Sequence, residues 1–190
     1  LNLALHFNDS GIMKKLLSRL KSHSTVNESN TLLISAINKN ELEIVQTLLA
    51  NGVGNVCLDE RANCPLFHAV KFGTPESVRV LLDNICGSAD GKIADSCVKH
   101  LNNAAILKAA IKREDIEILK MLLTAGLDLG QYCHGSSPIH YPLMKTTDPN
   151  RIDVVKVLFS SSQNFNPNVR RQCLRNSCQE ETALHMASRL

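Results

Sequence analysis

The sequence predicts an all-α fold, a solenoid in which helix-turn-helix units stack through their apolar faces. A pattern of apolar residues returns at intervals near 33 residues, and each interval contains two short stretches with the apolar spacing of a helix. Aromatic residues make up 4% of the chain and Trp is absent. Many small aliphatic contacts between helices are therefore favoured over one core built around large rings.

The repeat is anchored on one small residue. A pair of large apolar residues ends 13 positions later in the first four units and 17 positions later in the fifth, which carries four further residues. The anchors are Ala4, Ala36, Ala69, Ala110, Pro142 and Ala187, and the pairs are Leu16-Leu17, Leu48-Leu49, Leu81-Leu82, Leu122-Leu123 and Leu158-Phe159. The predicted units are approximately 1–30, 31–63, 64–104, 105–136 and 137–181, with a truncated sixth at 182–190. Because the sixth unit lacks a second helix, we expect the natural protein to continue.

Each unit is predicted to be a helical hairpin. In the second unit the apolar faces are formed by Leu33, Ala36 and Ile37, then by Ile44, Val45, Leu48 and Leu49. In the fourth unit they are formed by Leu107, Ala110 and Ile111, then by Ile118, Leu119, Leu122 and Leu123. Helix-ending residues follow at Asn40, Asn51-Gly52 and Ala125-Gly126. Helices of about ten residues are marginal alone, so the units must stack.

The pattern resembles the ankyrin repeat family, whose units begin with a Thr-Pro-Leu-His-x-Ala turn into the first helix. The corresponding stretches are TLLISA from Thr31, CPLFHA from Cys64, AILKAA from Ala105, SPIHYP from Ser137 and TALHMA from Thr182. The resemblance implies β-hairpins at residues 59–63 and 132–136 and a binding surface along a concave groove. It also implies that His140 and His185, at the signature His position, stabilise the turn structurally.

Two connections and one helix depart from the repeat. The connections within residues 83–104 and 163–181 are each about eight residues longer than a 33-residue period requires. Two interpretations remain open for them: plain surface loops that tolerate extra length, or binding elements. Pro142 replaces the small anchor and is expected to distort the first helix of the fifth unit.

The sequence gives no support for catalysis, a cofactor or a metal. It contains no nucleotide-binding glycine motif, His-Glu-x-x-His or Gly-x-Ser-x-Gly pattern. Cys97 with His100, and Cys173 and Cys178 before His185, lack the two close ligand pairs that zinc prefers. We therefore predict a protein that is not an enzyme.

Composition indicates an intracellular protein that binds no nucleic acid and has no segment inserted in a membrane. The formal charge of +3 comes from 21 basic and 18 acidic residues spread along the chain, without a concentrated basic patch. No apolar run is long enough to span a bilayer. Seven scattered cysteines, an odd number, are typical of reduced thiols, so a cytoplasmic or nuclear location is expected.

Basic residues recur two or three positions after the anchors, at Lys39, Lys71, Lys112, Arg113, Lys145 and Arg189. Stacked units would align them as a ladder in the groove, which would attract an acidic segment of a partner protein. The alternative is that they are ordinary solvated helix residues. The candidate partner-binding residues are Glu60, Arg61, Asn63, Lys71, Lys112, Arg113, His134, Ser136 and Lys145.

The function predicted from this pattern is a non-catalytic scaffold for protein–protein interaction. One alternative is the recognition region of a larger channel, ubiquitin-ligase adaptor or enzyme, with the chemistry elsewhere in the chain. Another is an inhibitor of a transcription factor. The fold alone does not choose among them, because one repeat architecture serves many unrelated partners.

Overall fold

The computed structural model describes residues 26–52, 64–86, 104–127, 129 and 151–161, and these form seven helices and no strand. The helices are α1 (Val26–Asn38), α2 (Leu42–Ala50), α3 (Pro65–Phe72), α4 (Pro75–Cys86), α5 (Ala104–Arg113), α6 (Ile116–Thr124) and α7 (Arg151–Ser161). The chain divides into two compact parts, Leu1–Ala94 and Asp95–Leu190. Helices α1 to α4 lie in the first part and α5 to α7 in the second.

The first part contains two stacked helical hairpins. Helix α1 packs against α2 and α3 packs against α4, which makes each hairpin. The two hairpins contact each other through equivalent helices: α1 packs against α3, and α2 packs against α4. This is the stacking that the repeat period predicts.

The predicted anchors and leucine pairs form the centre of this stack. Ala36 and Ala69 are both fully buried, as are Leu48 and Leu81. A methyl side chain at the anchor lets α1 and α3 approach closely, and the leucines fill the layer between the helices of successive hairpins. The prediction of the core face is therefore confirmed in the second and third units.

Helix ends recur at fixed distances from the anchors. Asn40 and Glu114, each four residues after an anchor, both adopt left-handed backbone angles, with φ of 57° and 60°. At the first of these ends, the Asn40 N–H donates to the Ile37 carbonyl at 3.0 Å and the Glu41 N–H donates to the Ala36 carbonyl at 3.1 Å. Gly52 and Gly126, sixteen residues after the same anchors, have φ of 70° and 95°. The second and fourth units therefore share these backbone angles, whereas Gly73, four residues after Ala69 in the third unit, is extended with φ of −80°.

The residue before each second helix also recurs, five positions after the anchor, as Glu41, Thr74 and Asp115. Asp115 Oδ1 accepts a hydrogen bond from the Ile118 N–H at 3.2 Å, and Thr74 Oγ1 accepts one from the Ser77 N–H at 3.3 Å. These are side-chain caps of α6 and α4. Glu41 makes no such bond to α2, because its longer side chain does not return to the first turn.

The second part contains the hairpin of α5 and α6, and α7 packs against α6. The predicted core residues Leu107, Ala110, Ile118, Leu119 and Leu122 are buried. Leu123 is only half-buried. On α7, Leu158 is buried at the first position of the predicted apolar pair.

Two predicted boundaries differ from the structure. Helix α1 begins at Val26, five residues before the Thr31 signature, because residues 26–30 contain no Gly or Pro and place Glu28 in the first turn. Helix α4 continues to Cys86, so the first four residues of the predicted connection at 83–104 are helical. The β-hairpins at 59–63 and 132–136, the Pro142 helix, the connection at 163–181 and the units at 1–30 and 182–190 lie outside the described residues, apart from the start of α1.

Candidate functional site

The structure describes three of the predicted contact residues. Lys71 lies in the last turn of α3, and Lys112 and Arg113 are the last two residues of α5. The predicted contacts outside the described residues are Glu60, Arg61, Asn63, His134, Ser136 and Lys145, and the signature residues His140 and His185 lie outside them as well.

The basic residues at the ends of the first helices are not equivalent. Lys39, Lys71 and Lys112 are exposed, and none forms an ion pair with another residue of the described ranges. Arg113 is different, since its Nε lies 3.5 Å from Oδ2 of Asp115, the residue that caps α6. Arg113 therefore supports the turn of its own hairpin, whereas the three lysines present their charge to solvent.

Lys71 belongs to a cluster of side chains on one face of α3, and we call His68, Lys71 and Phe72 the α3 face. These residues follow the i, i+3, i+4 spacing that places side chains side by side on a helix. The Nζ of Lys71 lies 4.6 Å from the ring centroid of Phe72 and 5.6 Å from that of Phe67. The ammonium thus interacts with both aromatic rings.

The histidine ring links the same aromatic residues. The centroid of His68 lies 6.0 Å from that of Phe72, with the ring planes tilted by 41°. It lies 5.8 Å from the centroid of Phe67 in an edge-to-face arrangement. Phe67 is buried, whereas Phe72 is 53% exposed. The α3 face therefore contacts the buried ring of Phe67 and carries the solvent-exposed ring of Phe72.

The local sequence explains this placement. Pro65 begins α3, and the Sγ of Cys64 accepts a hydrogen bond from the Phe67 N–H at 3.4 Å. Leu66 and Val70 turn into the core and are fully buried. At the other end, a Cβ on Gly73 would lie 2.9 Å from the Ala69 carbonyl oxygen and would meet the hydroxyl of Ser77. Glycine thus allows the tight connection to α4 immediately after Phe72.

A family model for ankyrin repeats, in three copies, matches residues 1–95, which is half of the 190-residue sequence. The chain belongs to the ankyrin repeat family. No curated protein matches this chain. Ankyrin repeats are generally modules for protein–protein interaction and are typically non-catalytic.

The ankyrin register shows that the aromatic cluster is particular to the third repeat among the described first helices. The three positions of the α3 face are Ser35, Asn38 and Lys39 in the second repeat, and Ala109, Lys112 and Arg113 in the fourth. A basic residue thus recurs in all three repeats, but an aromatic ring beside it occurs only in the third.

The sequence pattern predicted Lys71 as a partner-binding residue but did not predict its neighbours Phe72 and His68. The spacing of His68, Lys71 and Phe72 was available as a signal, since it defines one helix face. That spacing does not reveal whether the face packs against a neighbour or meets solvent. The exposure of Phe72 follows from the position of the neighbouring helices.

Two cysteines have an oxidation state that differs from the one expected from the sequence. Cys64 and Cys86 are disulfide-bonded, which differs from the reduced thiols expected from the odd cysteine count. Folding brings each sulfur within bonding distance of another cysteine, and the spacing along the chain does not report this. The expectation of reduced thiols was therefore wrong for these two positions.

The described residues contain neither a candidate metal site nor a candidate membrane span. Within the described ranges, no group of three or more His, Cys, Asp or Glu side chains could hold a metal ion. In the same part of the chain, no helix is long and apolar enough to cross a membrane. Cys97, His100, Cys173 and Cys178 of the long connections lie outside these ranges.

Proposed function

We propose that this chain is a non-catalytic scaffold that binds a partner protein through the ends of its first helices and its hairpin tips, along the concave groove. The observation that carries the proposal is the set of exposed ammonium groups of Lys39, Lys71 and Lys112. They recur at matching ends of first helices, and none forms an ion pair within the described residues. The partner segment would be acidic.

Lys39, Lys71 and Lys112 form no ion pair within the described residues, so no neighbouring carboxylate there offsets their charge. An ion pair within the chain would offset the charge of each lysine and would reduce its attraction for a partner. Exposed lysines that form no ion pair within the described residues attract carboxylates and accelerate the encounter with an acidic segment. Their attraction is screened by salt over a distance of about 8 Å at physiological ionic strength. Binding should therefore weaken as salt is added.

The remaining contacts are proposed from the repeat register. Glu60, Arg61 and Asn63 would form one hairpin tip, and His134 and Ser136 would form another. Lys145 would continue the series of basic residues in the fifth unit. Arg113 would contribute mainly by holding Asp115 and the turn, since those two side chains are paired.

The test compares two charge-reversed proteins. In the groove variant Lys39, Lys71 and Lys112 are each replaced by Glu. In the control variant Arg79, Lys120 and Lys156, which are exposed residues of second helices, are each replaced by Glu. Both variants carry the same change in formal charge, so a difference between them reports position and not net charge.

Affinity capture with quantitative mass spectrometry would compare wild type and both variants, followed by binding curves at several salt concentrations for each captured protein. We expect the groove variant to lose the partner and the control variant to keep it, with both variants folded as judged by far-ultraviolet circular dichroism. Equal capture by the groove variant and wild type would refute the proposal.

A further inference from the structure

On the α3 face, the exposed ring of Phe72 lies next to the ammonium of Lys71. Phe72 leaves 53% of its surface in water while Leu66 and Val70 on the same helix are fully buried. Aromatic residues, Phe among them, are enriched at protein interfaces relative to the rest of the protein surface. The exposed ring of Phe72 is therefore a candidate contact for a partner protein.

The Lys71 ammonium and the Phe72 ring are close enough for two neighbouring side chains of one ligand to contact both. Nζ of Lys71 lies 4.6 Å from the centroid of Phe72. A side chain that covers the open part of the ring would lie within reach of that ammonium. Among the described residues, no carboxylate forms an ion pair with Lys71. Within the described residues, the Phe72 ring thus remains half exposed and the Lys71 ammonium has no carboxylate partner.

We propose that the α3 face is the anchoring point for a segment of a partner protein that carries a large apolar side chain adjacent to a carboxylate. The apolar side chain covers Phe72 and the carboxylate pairs with Lys71, while His68 and the buried Phe67 hold the exposed ring and the ammonium in place. This inference rests on the proposed function and specifies which part of the surface dominates binding and what chemistry it recognises.

The choice of a carboxylate neighbour follows from charge complementarity. Lys39, at the end of the adjacent helix α1, is also exposed and forms no ion pair within the described ranges. A basic or neutral segment would leave Lys71 without a counter-charge in a surface that binding partly desolvates, and this is unfavourable. A carboxylate beside the apolar group satisfies both requirements.

The experiment selects peptides from a phage-displayed library of random dodecapeptides on the full 190-residue chain. Enriched peptides are then synthesised with a fluorescent label, and their Kd values are measured by anisotropy for wild type and variants. We expect enriched sequences to place Asp or Glu next to Phe, Leu, Met or Trp. Phe72→Ala and Lys71→Gln should each weaken binding at least about tenfold, while Phe72→Leu retains part of the affinity.

A matched control and a double-mutant cycle make the test specific. Ile152 is 58% exposed on α7, so Ile152→Ala removes a comparable exposed apolar group and should leave Kd unchanged. Replacing the peptide carboxylate by its amide should weaken binding to wild type but have little further effect on Lys71→Gln, because the same pair is already lost.

Three outcomes would overturn the inference. Enriched peptides that bind Phe72→Ala as tightly as wild type would overturn it and leave the proposed function standing. A library that yields no enriched peptide would count against both. A concentration-dependent dimer in sedimentation that disappears in Phe72→Ala would show instead that a second copy of the chain covers this face.

Discussion

Replacing the residue before each second helix by Ala should have effects that differ by repeat, although Glu41, Thr74 and Asp115 occupy one register position. Asp115 and Thr74 each accept a hydrogen bond from a backbone N–H in the first turn of the following helix. Glu41 makes none to α2. Each substitution truncates the same register position to Ala, but only Thr74→Ala and Asp115→Ala remove a cap.

The magnitude follows from the contacts that are lost. Removing a side-chain cap costs about 0.5–2 kcal/mol of unfolding free energy. Asp115→Ala also removes the ion pair with Arg113. The side chains of Arg113 and Asp115 are 26% and 25% exposed, so loss of this pair adds at most about 1 kcal/mol. We therefore expect a loss of about 1–2 kcal/mol for Asp115→Ala, about 1 kcal/mol for Thr74→Ala and close to none for Glu41→Ala.

The reverse substitution provides an internal check at the second repeat. Within the described residues, Oε2 of Glu41 is buried and accepts no hydrogen bond. Glu41→Asp shortens the side chain to the length that caps α6 in the fourth repeat, so it should raise the free energy of unfolding by about 0.5–1 kcal/mol. Asp115→Asn would keep the cap while losing the ion pair, which separates the two contributions.

Guanidinium unfolding followed by far-ultraviolet circular dichroism measures these differences, provided that the slope of the transition is the same for all variants. A loss from Glu41→Ala as large as that from Asp115→Ala would refute the reasoning, because it would show that stability at this position does not depend on the hydrogen bond.

Three further predictions concern packing, backbone and thiols. Leu48→Ala should cost about 2–5 kcal/mol in the same unfolding assay, because the side chain is fully buried, and Leu81 and Leu122 should behave alike. Gly52→Ala should cost about 1 kcal/mol although no atom lies within 4 Å of the added Cβ, because φ is +70°. Thiol titration of the denatured, unreduced protein should find at most five thiols, since two of the seven cysteines are disulfide-bonded; seven would contradict this.

Much of the fold follows from sequence because the relevant signals are local and periodic. Ala36, Ala69 and Ala110 mark one point of a helical hairpin, and all three are buried in the structure. Asn40 and Gly52 adopt the left-handed angles that end the helices where the sequence placed the stops. Helix periodicity and turn chemistry are properties of neighbouring residues, so they can be recognised without tertiary information.

Helix boundaries were harder to predict where the sequence contains no helix-ending residue. Helix α1 extends back to Val26 because nothing in residues 26–30 interrupts it, although the repeat signature begins at Thr31. Helix α4 likewise continues to Cys86. A repeat period fixes the spacing of equivalent positions, but it does not fix where a helix with no stop signal begins or ends.

The sequence by itself determined the repeat, its register, the residues of the core and the recurrence of a basic residue at the ends of the first helices. Only the tertiary structure decided that Arg113 is paired with Asp115, that Cys64 and Cys86 are disulfide-bonded, and that Phe72 is exposed beside Lys71. The physical reason is that a helix specifies which side chains share a face. Which face is covered depends on the helices that pack around it.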